Sequence, residues 1–314
     1  MREKFNLFLS ILIFVFFISS NKSFSQKVSI IYVVENTPIT NIEINNEINY
    51  LLLINQELRK IDKKSLVQYA SKSILKEKIK EIEVKKYFEF GQNQKIINGN
   101  LNKLMSSLNI KNENEFNKLL AELNLSRNFL SKKIEIELIW NRLIYEMYKD
   151  KIIINEEKIK KNLEININDQ SNKIDEFLLY EILFSPNTTS DLEIELSKIK
   201  KSINDVGFEN TANIFSVSSS SKFGGKIGWV NKNHLSKTII DTIQKLDLGM
   251  HSDPINVPSG KLILMIKDKR KVENNLSLEE ELSKIITAEK NKQLNQFSSI
   301  YYKKVELDTK IYEK

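Results

Sequence analysis

The chain has no cysteine among its 314 residues, which excludes structural disulfides, thiolate metal sites and a cysteine nucleophile. A lipid attached to an N-terminal cysteine is excluded for the same reason. There are only two histidines, His234 and His251, so a histidine-rich metal site is also excluded. We therefore expect neither a metal nor another cofactor.

Proline and glycine are scarce, with four and eight residues, and no proline lies between Pro38 and Pro186. This long stretch is predicted to be helical almost throughout, because it lacks proline and only Gly91 and Gly99 interrupt it. Thr40-Asn41-Ile42-Glu43 is a capping box and starts a helix toward Gln56. Apolar spacing predicts further helices at about 64–90, 97–108, 116–123 and 126–149. Before them, the β-branched segment 28–34 (VSIIYVV) predicts a strand.

Residues 174–270 have a different composition and hold six of the eight glycines and three of the four prolines. Gly224, Gly225 and Gly228 lie within five positions, which predicts a tight turn with positive φ and a closely packed backbone. A capping box at Ser190–Glu193 predicts a helix to about Asn204. Strands are predicted at 177–184, 252–257 and 261–267, and short helices at 208–215 and 236–245. This pattern indicates an α+β domain of about 100 residues.

The tail, residues 276–314, is predicted to be helical to about Tyr302 and to end in a short strand at 309–312 (TKIY). We expect this strand to pair with segment 28–34, because that segment is too apolar to leave its edges unpaired.

The N-terminus has the features of a secretory signal peptide. Arg2 and Lys4 precede an apolar run that ends at Ile18, and Ser23 and Ser25 supply the small residues before a cleavage site. Cleavage is expected before Gln26, which places the mature protein in the periplasm without stable membrane insertion; an uncleaved anchor is the alternative. The net charge of +7 is spread over interspersed residues without a basic stripe, so no nucleic-acid partner is expected.

Several separated motifs resemble one known family. The segments EILFSP, FGGKIGW, SDPI and SGKLIL, which begin at residues 181, 223, 252 and 259, resemble the parvulin-type peptidyl-prolyl isomerase domain. The opening VSIIYVVENTPITNIEINNEI and the helical flanks resemble the SurA family of periplasmic chaperones. The resemblance implies an α+β fold with a helical SurA-like core and one inserted parvulin-like domain. The domains implied are a signal peptide at 1–25, an N-terminal chaperone domain at 26–172, the parvulin-like domain at 173–271, and a C-terminal completion of the core at 272–314.

The resemblance also implies positions for an active site. Glu181 and Leu262 occupy the positions of the family's two histidines, and Ser218 occupies that of an Asp or Cys. Leu235 and Ile239 fall at the proline pocket. Glu181 and Leu262 are expected to face each other across neighbouring strands, with the Glu181 side chain turned toward solvent or a basic neighbour.

The resemblance implies a periplasmic chaperone that binds unfolded polypeptides, in particular outer-membrane β-barrel precursors. It has a peptidyl-prolyl isomerase domain whose active-site positions are largely substituted, which argues for weak or no activity. The alternative is an active isomerase that acts on secreted proteins. The helical core would supply the polypeptide surface, with the following candidate aromatic residues: Tyr50, Tyr69, Tyr87, Phe88, Phe90 and Phe297.

Overall fold

The computed structural model describes residues 27–167, 173–186, 188–273 and 277–314. The predicted signal peptide, residues 1–25, lies outside the described residues. Mixed helices and sheets confirm the predicted α+β class. None of the helices in the described ranges combines enough length with enough apolar character for a membrane span.

The first half of the chain is helical, as predicted. The Thr40 hydroxyl accepts a hydrogen bond from the backbone N–H of Glu43, and the Glu43 carboxylate accepts one from the N–H of Thr40 at 2.9 Å. This reciprocal cap satisfies two donors at the start of a helix and fixes where the first helix begins. Six helices follow one another: α1 (Asn41–Ile54), α2 (Lys63–Val84), α3 (Gln94–Ser107), α4 (Glu113–Glu122), α5 (Arg127–Tyr148) and α6 (Glu156–Ile167).

A small sheet joins the two ends of the described chain. Strand β1 (Ile30–Val34) lies between β2 (Thr37–Thr40) and the last strand, β7 (Ile311–Glu313), and pairs antiparallel with both. Val33 pairs with Tyr312, so the predicted pairing of the terminal segments is confirmed.

The last helix, α10 (Leu278–Asp308), returns the chain to this sheet and completes the core of α2 and α5. Its buried residues Tyr301 and Val305 belong to the same apolar cluster as Trp140. The Trp140 indole N–H donates to the Ser298 hydroxyl at 2.8 Å, which satisfies its polar atom inside the core. We call α1–α6, α10 and the three-stranded sheet the helical part.

A four-stranded antiparallel sheet forms the centre of the second unit, which we call the sheet part. The strand order is β4-β3-β6-β5. Helices α7 and α8 belong to the apolar cluster on one face of the sheet, and α9 to the cluster on the other. The elements of the sheet part are β3 (Lys173–Phe184), α7 (Thr189–Val206), α8 (Phe208–Phe215), β4 (Lys226–Asn231), α9 (Lys237–Ile243), β5 (Ile255–Val257) and β6 (Gly260–Glu273).

Side chains alternate along β3 because successive residues of a strand point to opposite faces. Ile182 and Phe184 pack with α7 and α8, whereas Leu179 and Leu183 pack with α9. Glu181 has the parity of Leu179 and Leu183. One carboxylate therefore lies on the apolar face that carries α9.

Three sequence predictions on helix ends are wrong. Helix α2 ends at Val84 rather than near Phe90. Phe88 and Phe90 lie beyond its end but still pack against the same core, so the apolar spacing continues after the helix has ended. The cap of α7 is Thr188, whose hydroxyl accepts from the N–H of Asp191, and not Ser190. Helix α10 runs to Asp308, six residues beyond its predicted end.

The strand predictions miss two strands, β2 and β4, and shorten two others. Segment 226–231, predicted as part of a glycine loop, is strand β4 and pairs with β3 along five residues. Strand β6 continues past Lys267 to Glu273, and β3 begins at Lys173 instead of Phe177. These extensions are rich in charged residues, which conceal a strand whose stability comes from pairing rather than burial.

Deleting residues 305–314 is expected to lower the free energy of unfolding by about 2–4 kcal/mol, because the deletion removes buried Val305 and leaves β1 without β7. Urea unfolding followed by far-UV circular dichroism measures this change. Leu307→Ser is the control within the segment, since its side chain is 72% exposed, and a change below about 0.5 kcal/mol is expected. Equal stability of the truncated and full-length chains would contradict the pairing.

Candidate functional site

The glycine stretch forms a turn that packs closely against β3. After a 3-10 turn at Ser219–Phe223, Gly224 and Gly225 have φ values of 67° and 77°, which favour glycine. The Gly225 carbonyl accepts a hydrogen bond from the N–H of Glu181 at 2.7 Å. A Cβ atom at Gly225 would stand 2.1 Å from the Glu181 carbonyl oxygen. The turn therefore lies closer to β3 than any residue with a side chain allows.

This close turn brings two serines onto the Glu181 carboxylate. The Ser218 hydroxyl donates to Glu181 Oε1 at 2.6 Å, and the Ser220 hydroxyl donates to the same oxygen at 2.8 Å. The two hydroxyl oxygens are 3.1 Å apart. Neutral hydroxyls thus satisfy Oε1 of Glu181, the described residues supply no basic neighbour for it, and the residue remains partly exposed. Sequence analysis did not name Ser220 as a site residue, although it lies only two positions after Ser218.

The predicted facing of Glu181 and Leu262 is wrong. In the register of β3 and β6, Glu181 pairs with Leu264, whereas Leu262 pairs with Leu183. The two positions share one face of the sheet but lie on a diagonal. Leu262 is buried within an apolar cluster, against which the partly buried Leu235 and Ile239 pack.

All five predicted site residues line one large groove of about 1450 Å³ between the helical part and the sheet part. We call it the central groove. On the sheet side, its wall includes Glu181, Ser218, Leu235, Ile239 and Leu262 together with the exposed apolar side chains of Val217, Phe223 and Ile227. The functional roles of the five residues stay predictions, but the structure brings the residues together.

The helical wall of the groove was predicted only in part. Of the six aromatic candidates, Tyr50 and Tyr69 line the groove, while Phe88, Phe90 and Phe297 pack against the helical core and Tyr87 is exposed. Helices α2, α5 and α10 contribute the remaining residues that matter here: Lys72, Lys76, Lys80, Glu137 and Tyr302.

The two parts are joined by charged contacts at the groove. Lys80 on α2 donates to Glu137 on α5 at 2.7 Å, and Lys222 from the 3-10 turn reaches the other oxygen of Glu137 at 3.4 Å. Burial alone raises the pKa of the Glu137 carboxyl, but the two ammonium groups outweigh it and hold that pKa below its usual range. Burial lowers the pKa of Lys222, and Glu137 reverses this effect, so both groups stay charged at neutral pH.

A second contact lies at the far end of the sheet part. His234 Nε2 is 3.3 Å from Oε1 of Glu281, a buried carboxylate near the start of α10. Sequence analysis did not predict this contact of His234, because Glu281 is distant in the sequence and no local pattern indicates it.

Comparisons with known proteins agree with the predicted resemblance. Residues 180–268 match the Rotamase family model, the PPIC-type PPIASE domain. Chaperone SurA of Pseudomonas putida is 23% identical over 174 residues, which cover 53% of this chain and 40% of that protein. Periplasmic chaperone PpiD of Haemophilus influenzae is 28% identical over 80 residues, covering 26% and 12%.

A solved structure of a SurA-like chaperone from Campylobacter jejuni has 19% sequence identity and a TM-score of 0.38, and the match covers 91% of this chain and 99% of that one. The chain spans about two fifths of the length of the SurA relatives it matches.

By family resemblance, residues 180–268 form a parvulin-type peptidyl-prolyl isomerase domain. The predicted likeness to a SurA-like chaperone with one such domain is confirmed.

Gly225→Ala is expected to lower the free energy of unfolding by about 3 kcal/mol or more, because its Cβ collides with the backbone of β3. Gly228→Ala is the matched control, since Gly228 also has positive φ but no atom within 4 Å of an added Cβ. That variant should lose about 1 kcal/mol. Urea unfolding of both proteins measures the difference, and equal losses would show that the close approach to Glu181 is unimportant.

Proposed function

We propose that this protein is a chaperone that binds unfolded polypeptides in the central groove. The observation that carries the proposal is the groove itself, about 1450 Å³ of space with apolar and aromatic side chains on both walls. A single small ligand fills a smaller pocket, whereas a groove between two units accommodates an extended chain.

The exposed apolar residues of the sheet wall support this use. Val217, Phe223 and Ile227 lie on or beside the glycine turn, and each exposes more than two fifths of its surface. Large apolar side chains that remain exposed in a groove are typical of surfaces that bind other chains. Neighbouring strand β4 is an edge strand, so its outer backbone groups are available to pair with an extended client.

The finer parts of the proposal follow from the relatives. One relative carries the name periplasmic chaperone, and this chain has the predicted signal peptide, so we place it in the periplasm with outer-membrane β-barrel precursors as clients. We keep the domain division predicted from the sequence, with 26–172 and 272–314 as one core around 173–271. The pairing of β1 with β7 supports the joined core.

An active isomerase is the second candidate, because Glu181 and Ser218 keep polar groups in the same groove as the apolar side chains of Leu235 and Ile239. Prolyl isomerisation must overcome a barrier of roughly 18–20 kcal/mol, so an enzyme has to bind the twisted amide better than the planar one. Leu262 offers no hydrogen bond and is buried. We therefore propose that the domain binds Xaa-Pro segments with weak or no catalysis.

The double variant Phe223→Ser/Ile227→Ser is expected to need about threefold to tenfold more protein for half-suppression of the aggregation of an unfolded β-barrel protein, because apolar surface in the groove is lost. Light scattering measures the suppression. Met147→Ser/Ile153→Ser removes exposed apolar side chains outside the groove and should match the unmodified protein. Equal losses in both variants would remove the groove as the client site.

Ser218→Ala is expected to change cis/trans exchange in an Xaa-Pro peptide by less than about threefold, below roughly 1 kcal/mol of barrier, since Glu181 keeps its bond from Ser220. Exchange spectroscopy by NMR measures the rate. Ser219→Ala is the control, because it leaves both hydroxyls on Glu181. A catalysed rate far above background that collapses only in Ser218→Ala would establish the isomerase instead.

A further inference from the structure

Lys76 occupies an unusual place on the helical wall of the central groove. It lies on α2, one turn before Lys80, and its ammonium donates to the backbone carbonyl of Val217 at 3.1 Å. The ammonium also lies 5.3 Å from the centre of the Tyr302 ring on α10. Lys76 therefore contacts the residue that precedes Ser218, from the opposite wall of the groove.

Most charges around Lys76 are paired, whereas Lys76 and Lys72, one turn earlier on α2, form no ion pair within the described ranges. Lys80 and Lys222 share Glu137, and buried Lys133 lies between Glu47 and Glu77. On α10, the Glu306 carboxylate is occupied by its neighbours Lys303 and Tyr302. Within the described ranges, no carboxylate forms an ion pair with Lys76, whose polar partner is a neutral carbonyl.

This position is electrostatically costly for an ammonium group. Burial and the charge of Lys80 lower the pKa of Lys76 to about 7, even though Glu137 and Glu306 act in the opposite direction. The charge of Lys222 also contributes to this lowered value. An anion that approached Lys76 from the groove would compensate this charge and would favour the protonated ammonium.

We propose that Lys76 binds a carboxylate of the polypeptide held in the central groove, so that the protein prefers client segments with an acidic group close to apolar residues. The inference rests on the proposed function. Charge complementarity carries it, because the groove combines an ammonium that lacks a carboxylate with the apolar wall of Leu235 and Ile239. A single positive charge suits one carboxylate, from either an acidic side chain or the end of a chain.

The test uses fluorescently labelled peptides of about nine residues that share a Phe-Pro-Leu centre, and fluorescence anisotropy with the full chain. The neutral parent has glutamine flanks and an amidated end. One derivative replaces a glutamine with glutamate, and another carries a free terminal carboxylate. At about pH 6, where Lys76 is protonated, one or both acidic peptides should bind about fivefold tighter than the parent.

Variants of Lys76 separate its charge from its packing. In Lys76→Met the ratio of the affinities for acidic and neutral peptides should fall to about one, whatever the absolute affinity for the parent. Lys64→Met removes a charge from an exposed position on the same helix, outside the groove, and should keep the preference. At about pH 8.5 the preference should shrink in the unmodified protein, because Lys76 loses its proton, but persist in Lys76→Arg, whose guanidinium stays charged.

The outcomes distinguish the two proposals. Tighter binding of the glutamate peptide, the free-acid peptide or both, lost in Lys76→Met alone, supports the carboxylate site and identifies its source. Equal binding of acidic and neutral peptides would overturn this inference and leave polypeptide binding in the groove intact. If none of the peptides binds, the proposed function fails and this inference fails with it.

Discussion

The central groove depends on one close backbone contact, that between Gly225 and Glu181 on β3. The segment before it is tied to the same strand, since the Val217 N–H donates to the Leu183 carbonyl at 2.7 Å. A segment fixed at both ends against a strand has little freedom between them. Ser218 and Ser220 therefore contact the Glu181 carboxylate, and Lys222 reaches Glu137 on the opposite wall of the groove.

The same segment satisfies charges in the helical part. Glu137 on α5 is held by Lys80 of its own part and by Lys222 of the turn. Glu137 and Lys222 are partly exposed and Lys80 is buried, so removing one partner leaves a charge that is only partly compensated by solvent. The placement of the sheet part is thus coupled to charge compensation in the helical core, and Lys76, which contacts the Val217 carbonyl, belongs to this same connection.

Much of this fold is predictable from the sequence, because helix caps and strand patterns depend on residues close together in the chain. The capping box at Thr40 starts α1 where predicted, and apolar β1 finds its partner at Tyr312 because an apolar edge requires one. The site was predictable only as positions taken from a family resemblance. The hydrogen bonds of Ser220 to Glu181 and the ion pair of Lys222 with Glu137 join residues 39 and 85 positions apart, and no spacing rule announces such contacts.

If Glu181 and Leu262 replace the family's two histidines, as we propose, binding and catalysis separate at this site. Leu262 and Leu264 belong to the apolar cluster on the Glu181 face of the sheet, and an apolar surface of this kind would accept a proline ring equally in either planar state of its amide. Binding that is equal in the ground and twisted states does not lower the barrier. The Ser218 proton is already donated to Glu181, and the carboxylate repels an amide oxygen instead of stabilising it. We infer that these substitutions keep a proline-accepting wall for client binding and remove the interactions that would favour the twisted amide.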